Sequence, residues 1–170
     1  MKFRDNMSYI NKAIIVAANP FQDYPVAPGR YVRELGDVEF HRRHLDLHGG
    51  VFWDIVPMGR RDLPWKHPDI NSGYIYISKP IGKVEYWVKI EYIKRWKELN
   101  LNEVKEYIPE PRLSYLQHYW DEGKIYYAIL IRKIRDLKPE RELRDFRLAT
   151  NNESVRRVQN YAMVVDPGWR

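Results

Sequence analysis

Hydrophobic and polar residues alternate through much of residues 73–93 with the two-residue period of β-strands. Successive side chains of a strand point to opposite faces, so the pattern predicts strands at 73–78 and 83–93. The second strand is expected to bury one face, which carries Val84, Tyr86, Val88, Ile90 and Tyr92. Trp87 is the exception on the opposite, largely solvated face. The turn residues 79–82, with Pro80 and Gly82, predict that the two strands form a β-hairpin.

Compact apolar segments elsewhere predict further strands. Each is rich in β-branched or aromatic residues and stands between turn residues, and they occur at residues 12–18, 51–56, 124–134 and 161–165. The run at 12–18 stops at Asn19 and Pro20 and fits a buried strand, while 124–134 is long enough to be a central one. Residues 154–159 are expected to form another short closing segment.

Two segments are predicted to be helical. Residues 37–48 begin at Asp37, a residue suited to cap a helix, and end at Gly49 and Gly50. Residues 94–107 carry further apolar positions and are followed by prolines, which end a helix. A loop with a short helical turn is expected within 135–150. Prolines predict loops at 19–30 and 57–72.

These elements together predict an α+β fold with about six strands and two or three helices. Most of the strands are joined without a crossover helix, so the sheet should be mostly antiparallel and either curled or closed into a small barrel. The chain of 170 residues is long enough for one domain with its own hydrophobic core. We therefore expect a single domain over residues 1–170, which could be the N-terminal part of a longer protein.

Composition narrows the class of protein. The net charge of +6 permits binding to a polyanion, and the aromatic content of 14% could supply stacking surfaces. The chain has no cysteine, which excludes disulfides, thiolate zinc sites and cysteine nucleophiles, and favours a cytoplasmic location. No apolar run approaches the roughly 20 residues needed to cross a bilayer, so no membrane partner is expected.

Motifs for catalysis or cofactor binding are missing from the sequence. It contains no G-x-S-x-G elbow, no phosphate-binding glycine loop and no dinucleotide fingerprint, so we predict a binding domain without a cofactor rather than an enzyme. His41, His44 and His48 share one face of the predicted helix and could hold a metal ion. Because Arg42 and Arg43 lie between them and no carboxylate–histidine motif accompanies them, a solvated basic face is the favoured interpretation.

The order of elements resembles the PUA-like superfamily and, within it, YTH domains and their EVE relatives. The resemblance covers residues 12 to about 165. It is carried by short matches, namely Val51-Phe52-Trp53, the hairpin at 73–93, Trp120 before the strand at 124–134, Arg147-Leu148 with Asn151-Asn152-Glu153, and Arg156 with Gln159. Such domains also resemble the N-terminal target-recognition modules of McrBC-type modification-dependent restriction systems, whose GTPase motor follows in the same chain.

The resemblance implies a site that takes a flipped N6-methyladenine into an aromatic cage. Trp53 would be one wall, with Trp120 and Tyr115 as the others. Asn19 and Asp54 would contact the base edge, Asp54 through its backbone. Contacts to the nucleic-acid backbone are expected from Arg156, Arg157 and the basic loop residues Arg60, Arg61 and Lys66. Arg157 stands where the family usually has an acidic residue, so the preference could have moved from RNA to DNA. Oligomerisation, if any, is expected through a downstream motor domain.

Three functions remain open at the level of sequence. The chain could recognise a modified base, with DNA preferred, or it could be an RNA-binding PUA-like module. It could instead be a protein-interaction domain whose tryptophans all belong to the core. Trp53 can be a cage wall or a core residue, and the loop around Trp65 can contact phosphate or pack against the domain.

Overall fold

The computed structural model describes residues 11–20, 24–27, 30–32, 36–55, 64, 67–95, 98–100, 102, 105–109, 113 and 127–170. The helix α1 spans Asp37–His48. The strands are Lys12–Ala18 (β1), Tyr24–Ala27 (β2), Arg30–Val32 (β3), Val51–Ile55 (β4), Ser72–Ile77 (β5), Lys83–Arg95 (β6), Tyr127–Arg141 (β7) and Tyr161–Val165 (β8). Within the described residues, six strands form one sheet in the order β4-β7-β6-β5-β1-β8, and β2 pairs with β3 separately.

The large sheet is mixed but mostly antiparallel, as the sequence predicts. β1 runs parallel to β5, whereas the other four pairs of neighbouring strands are antiparallel. The sheet is curled into a half-barrel. Together with the helix α1, it confirms the α+β class. No helix among the described residues is both long and apolar enough to span a membrane.

The face of the sheet that packs against α1, here called the inner face, carries the largest hydrophobic cluster. Val38 and Leu45 of α1 contribute to this inner cluster together with alternate residues of the strands. Its members from β1 are Ile14, Val16 and Ala18, and its members from β4 are Val51, Trp53 and Ile55. Ala13 and Ile15 of β1 pack on the opposite face, so β1 is buried on both sides, as its uniformly apolar sequence predicts.

The opposite, outer face carries two separate hydrophobic clusters. The Phe146 cluster consists of Ala13, Ile15, Tyr74, Val84, Trp87, Leu137, Leu143, Phe146, Val155 and Val164. The Phe52 cluster consists of Phe52, Ile108, Ala128 and Leu130. Segments that follow β6 and β7 in the chain cover these two clusters, and each covers a different part of the sheet.

The single buried face predicted for β6 is correct only at the centre of the strand. Its pairing with β7 shifts register at three places, between Val84 and Tyr86, between Lys89 and Ile90, and between Ile90 and Tyr92. At the middle one the extra residue, Arg132, belongs to β7. An extra residue at a bulge reverses the face on which the following side chains lie. Val84 therefore joins the Phe146 cluster and Tyr92 packs against the Phe52 cluster, whereas Ile90 stays on the inner face. Trp87, expected on the solvated face, is buried in the Phe146 cluster.

Three further expectations need correction. Residues 94–107 are not one helix, because Lys94 and Arg95 complete β6 and Lys105–Tyr107 form a 3-10 turn. β7 continues to Arg141 instead of ending at residue 134. The predicted loop at 19–30 contains the β2 strand and the first residue of β3. The predicted short helical turn within 135–150 is confirmed at Leu143–Asp145.

The two consecutive glycines after α1 have different roles. Gly49 ends the helix in the left-handed conformation, with φ of 74°, and its N–H donates to the Leu45 carbonyl. A Cβ atom on Gly50 would lie 2.8 Å from Nη1 of Arg132 and 3.0 Å from the Tyr107 ring. The first glycine therefore turns the chain, and the second lets two side chains pack against the backbone at the start of β4.

Candidate functional site

Trp53 lies on the inner face of β4, opposite Ile129 of β7. Its side chain is 5% exposed and belongs to the inner cluster. The indole stacks on the imidazole of His41, with ring centroids 4.2 Å apart and an angle of 26° between the rings. The tryptophan on which the predicted site depends is therefore buried, and α1 covers one of its faces through His41.

His41 is held in a fixed orientation by its own helix. Its side chain is 2% exposed, and Nδ1 lies 2.7 Å from the carbonyl oxygen of Asp37. A carbonyl oxygen can only accept a hydrogen bond, so Nδ1 carries the proton and donates. The Phe40 ring makes a T-shaped contact with the His41 ring, with ring centroids 5.6 Å apart. This imidazole gives Trp53 a rigid stacking partner.

Asp37 connects the start of α1 to the end of β1. The N–H of Asn19 donates to Oδ2 of Asp37 at 2.8 Å, and the N–H of Asp37 donates to the carbonyl of Asn19 at 3.2 Å. Gly36 makes this approach possible, since a Cβ atom there would lie 2.5 Å from the carbonyl oxygen of Pro20. The backbone of Asn19 is therefore fixed beside α1. We call Asn19, Asp37, His41 and Trp53 the Trp53 cluster.

The sequence predicts two members of the Trp53 cluster as site residues, namely Asn19 and Trp53. For Asp37 it predicts only a capping role, and for His41 a solvated face. His41 is buried, so for this residue the solvated face is wrong. The spacing of Val38, His41 and Leu45 would have indicated it, because steps of three and four place His41 on the buried stripe of the helix.

His44 and His48 lie further along α1 and do not join His41 in a metal site. Their rings stack on each other with centroids 4.1 Å apart, and Nε2 of His44 donates to the Glu106 carbonyl at 2.6 Å. Among the described residues, no group of three or more histidine, cysteine, aspartate or glutamate side chains could hold a metal ion.

The environment of His44 predicts a pH dependence of folding. Burial lowers the pKa of His44 below its ordinary value of 6.5, the nearby His48 lowers it further, and the hydrogen bond to Glu106 opposes both. The unfolded chain therefore binds this proton more readily than the folded protein, so stability falls as the pH drops from about 6.5 toward the lowered pKa. Melting temperatures between pH 7.5 and pH 5 should show the decline, and His44→Gln should reduce it. An unchanged slope in the variant would contradict the assignment.

Other predicted site residues lie elsewhere. Asp54 follows Trp53 on β4, opposite Ala128, and strand alternation places its half-buried side chain on the outer face. Arg156 and Arg157 are exposed, and Val155 before them packs in the Phe146 cluster. Ser154, just before them, forms a bridge with Arg147, and the next residue, Leu148, bridges Val164 of β8, which lies at the end of the strand order opposite β4. The cage candidates Tyr115 and Trp120 and the loop residues Arg60, Arg61, Trp65 and Lys66 lie outside the described residues.

Comparisons with known proteins do not assign the chain to a family. No protein-family model matches it, and no curated protein matches it. Among solved structures, the chain is similar to a mutant of the ZmASCH protein from Zymomonas mobilis, with 14% sequence identity and a TM-score of 0.38. The match covers 77% of this chain and 76% of that protein.

Proposed function

We propose that this chain is a PUA-like nucleic-acid-binding domain of the YTH or EVE type that recognises a methylated base at Trp53. N6-methyladenine in DNA is the preferred ligand. The observation that supports the proposal is the fixed stacking of Trp53 on His41, whose imidazole is in turn held by the backbone of Asp37. A wall of a base-binding cage must be rigid, because a side chain that has to be ordered on binding reduces the affinity.

The chemistry of the Trp53 cluster suits a methylated adenine. A base stacked on an indole gains about 1–3 kcal/mol, and the burial of a methyl group adds about 1 kcal/mol. Asn19 provides an amide that can both donate to and accept from the edge of a base, and its backbone is fixed by Asp37. Tyr115 and Trp120 are the proposed remaining walls, and the backbone of Asp54 is the proposed partner of the exocyclic amine.

The burial of Trp53 sets a condition on the proposal. With only 5% of its side chain exposed, the indole cannot receive a base unless neighbouring groups move aside. His41 covers one of its faces, so the base must stack on the other. The free energy of this opening, together with that of extruding a base from a duplex, must be offset by stacking and by phosphate contacts. Binding should therefore be tighter for single-stranded than for duplex oligonucleotides.

A second function is favoured by the same burial. Trp53 and Trp87 are 5% and 7% exposed and both lie in hydrophobic clusters. A protein-interaction domain whose tryptophans serve only the core would show the same burial. The RNA-binding alternative differs from the main proposal only in its ligand, so one experiment can address all three.

Two substitutions at Trp53 test the proposal. Trp53→Phe keeps an aromatic ring, whereas Trp53→Leu keeps an apolar side chain without one. Trp53→Leu is expected to weaken binding to a methylated single-stranded oligonucleotide by about 10–100-fold, and Trp53→Phe by much less, because stacking is lost only in the first. Affinities should be measured for methylated and unmethylated DNA and RNA of one sequence, at temperatures where circular dichroism shows each variant folded.

Each alternative has a distinct outcome in this panel. Tighter binding to methylated RNA than to methylated DNA would favour the RNA-binding module. Equal affinity for methylated and unmethylated strands would leave only phosphate binding, which weakens with salt and carries no base recognition. If no oligonucleotide binds at low salt, the nucleic-acid proposal fails and the protein-interaction domain remains. In a restriction system, the domain would select the target and motor domains would act on it.

A further inference from the structure

Two lysines face each other across the outer face of the sheet. Lys89 of β6 and Lys133 of β7 are register partners, and both are exposed. Residues in this relation have their Cβ atoms about 5 Å apart, and like charges placed so are destabilising. The next pair on this face is Trp87 with Arg135, which adds a third exposed cation. We call Lys89, Lys133 and Arg135 the basic strip.

The basic strip lies where the sheet is uncovered, between the two outer clusters. On one side, Trp87 is buried in the Phe146 cluster beneath the segment that contains Leu143, Phe146 and Val155. On the other side, beyond Arg132, Ile108 belongs to the Phe52 cluster and Tyr107 packs against it. The basic strip therefore lies between two covered regions of the outer face.

The cations of the basic strip differ from the neighbouring arginines in their partners. Arg132 pairs with Glu91 at 3.2 Å, and Arg170, above Trp87, pairs with Asp166 at 3.2 Å. In the described part of the chain, no ion pair is formed by Lys89, Lys133 or Arg135. Arg135 instead lies 5.6 Å from the centre of the Trp87 ring, which limits its freedom. These two neighbouring arginines are therefore neutralised within the protein, whereas the basic strip keeps three positive charges.

We propose that the basic strip binds the phosphate backbone of a nucleic-acid strand, an inference that rests on the proposed function and adds a second contact surface to it. The Cβ atoms of Lys89 and Lys133 lie about 5 Å apart across the strands, and the Cα atoms of Lys133 and Arg135 lie about 7 Å apart along β7. Such a row can neutralise successive charges of a linear polyanion. The repulsion between the two lysines costs stability in the free protein and is relieved when phosphate lies between them.

A linear polyanion fits this surface better than a membrane. Membrane-surface proteins insert apolar side chains beside their basic ones. The exposed large hydrophobic residues of the described chain are Leu47 and Ile81, and neither belongs to β6 or β7.

Charge reversal at the strip, with a matched control, tests the inference. Lys89→Glu with Lys133→Glu is compared with Lys79→Glu and Lys138→Glu, two exposed lysines outside the strip whose reversal changes the net charge equally. For an unmodified single-stranded oligonucleotide, the strip variant should bind about tenfold more weakly. Its dependence of log K on log salt should be shallower by about 1.4, since each lost phosphate contact removes about 0.7. The control variant should change neither quantity appreciably.

A single substitution separates binding from folding. Lys89→Glu places opposite charges face to face and should raise the melting temperature by about 1–3 °C while it weakens binding. Weaker binding by a more stable protein cannot come from misfolding.

The outcomes distinguish this inference from the proposed function. If the parent protein binds no oligonucleotide at low salt, the proposed function fails and the strip loses its ligand. If the parent binds but the strip and control variants weaken equally, or the strip variant binds as the parent does, the inference is overturned and the Trp53 proposal survives. Binding to phosphatidylserine vesicles that depends on Lys89 and Lys133, without their involvement in oligonucleotide binding, would overturn it in favour of a membrane.

Discussion

The Trp53→Ala variant is expected to lose about 3–5 kcal/mol of folding free energy. The indole is 5% exposed, packs in the inner cluster and stacks on His41, so its removal leaves a cavity between β4 and α1. Such a loss is a large fraction of the roughly 5–15 kcal/mol that stabilises a typical domain. Denaturant unfolding monitored by circular dichroism should show the midpoint moving to much lower denaturant concentration.

Because Trp53→Ala is expected to destabilise the fold, its binding alone cannot show whether Trp53 contacts a base. A variant with alanine at position 53 is weakened in folding whether or not the residue contacts a base, so its loss of binding by itself has no single interpretation. An unchanged unfolding midpoint would show that the indole is not packed as the structure has it. The comparison therefore needs a second variant with the same loss of stability at a place that the proposed site does not use.

Phe146→Ala is that second variant and is also expected to lose about 3–5 kcal/mol. Phe146 is 1% exposed, and its ring makes T-shaped contacts with Tyr74 at 5.1 Å and Trp169 at 5.0 Å. It belongs to the outer face, whereas Trp53 belongs to the inner one. Unfolding midpoints of the two variants should be similar. At a temperature where both are folded, the ratio of affinities for methylated and unmethylated oligonucleotide should stay at the parent value in Phe146→Ala alone.

If Trp53→Ala loses the preference for methylated oligonucleotide and Phe146→Ala keeps it, reduced stability cannot explain the difference. If both variants lose discrimination in proportion to their loss of stability, Trp53 acts only through the fold. If Phe146→Ala keeps the full stability of the parent, the Phe146 cluster is not a second core of the domain.

Local patterns in the sequence predicted the elements whose structure depends on near neighbours. The helix α1 ends at Gly49 because glycine accepts the left-handed conformation, and β1 is buried on both faces because all its central residues are apolar. The bulges of β6 could not be predicted, because alternation continues through Val84 and Tyr92 in the sequence. Only pairing with β7 shows where the register shifts.

The boundaries of β7 and the absence of one helix over residues 94–107 could also not be predicted from local patterns in the sequence. Pro139 lacks an N–H and argues against a strand, but the pairing of β6 with β7 is interrupted between Asp136 and Arg141, so the proline is accommodated at a bulge. Leu99 and Ile108 are apolar because they pack on the Phe52 cluster, not because residues 94–107 form one helix. The apolar positions were informative, whereas the type of element was not.

The candidate site was partly accessible from the sequence for a similar reason. Trp53 and Asn19 stand at recognisable places, after a diglycine and at the end of a strand. The link between them consists of the Asp37 carboxylate and the His41 ring, and it exists only because Gly36 lets α1 approach Pro20. Contacts between elements far apart in the chain are not visible in residue spacing.

The place of β1 in the sheet also determines when the fold can be completed. β5 and β6 are adjacent in the chain, whereas β1 pairs with β5 on one side and, through Lys12 with Val165, with β8 on the other. During synthesis, the apolar strand β1 must therefore wait until residues 161–165 have been made before both of its edges are hydrogen-bonded. Long-range pairing of this kind slows folding, and an unpaired apolar edge invites self-association. Recombinant production should therefore be most vulnerable to aggregation in the interval before β8 docks.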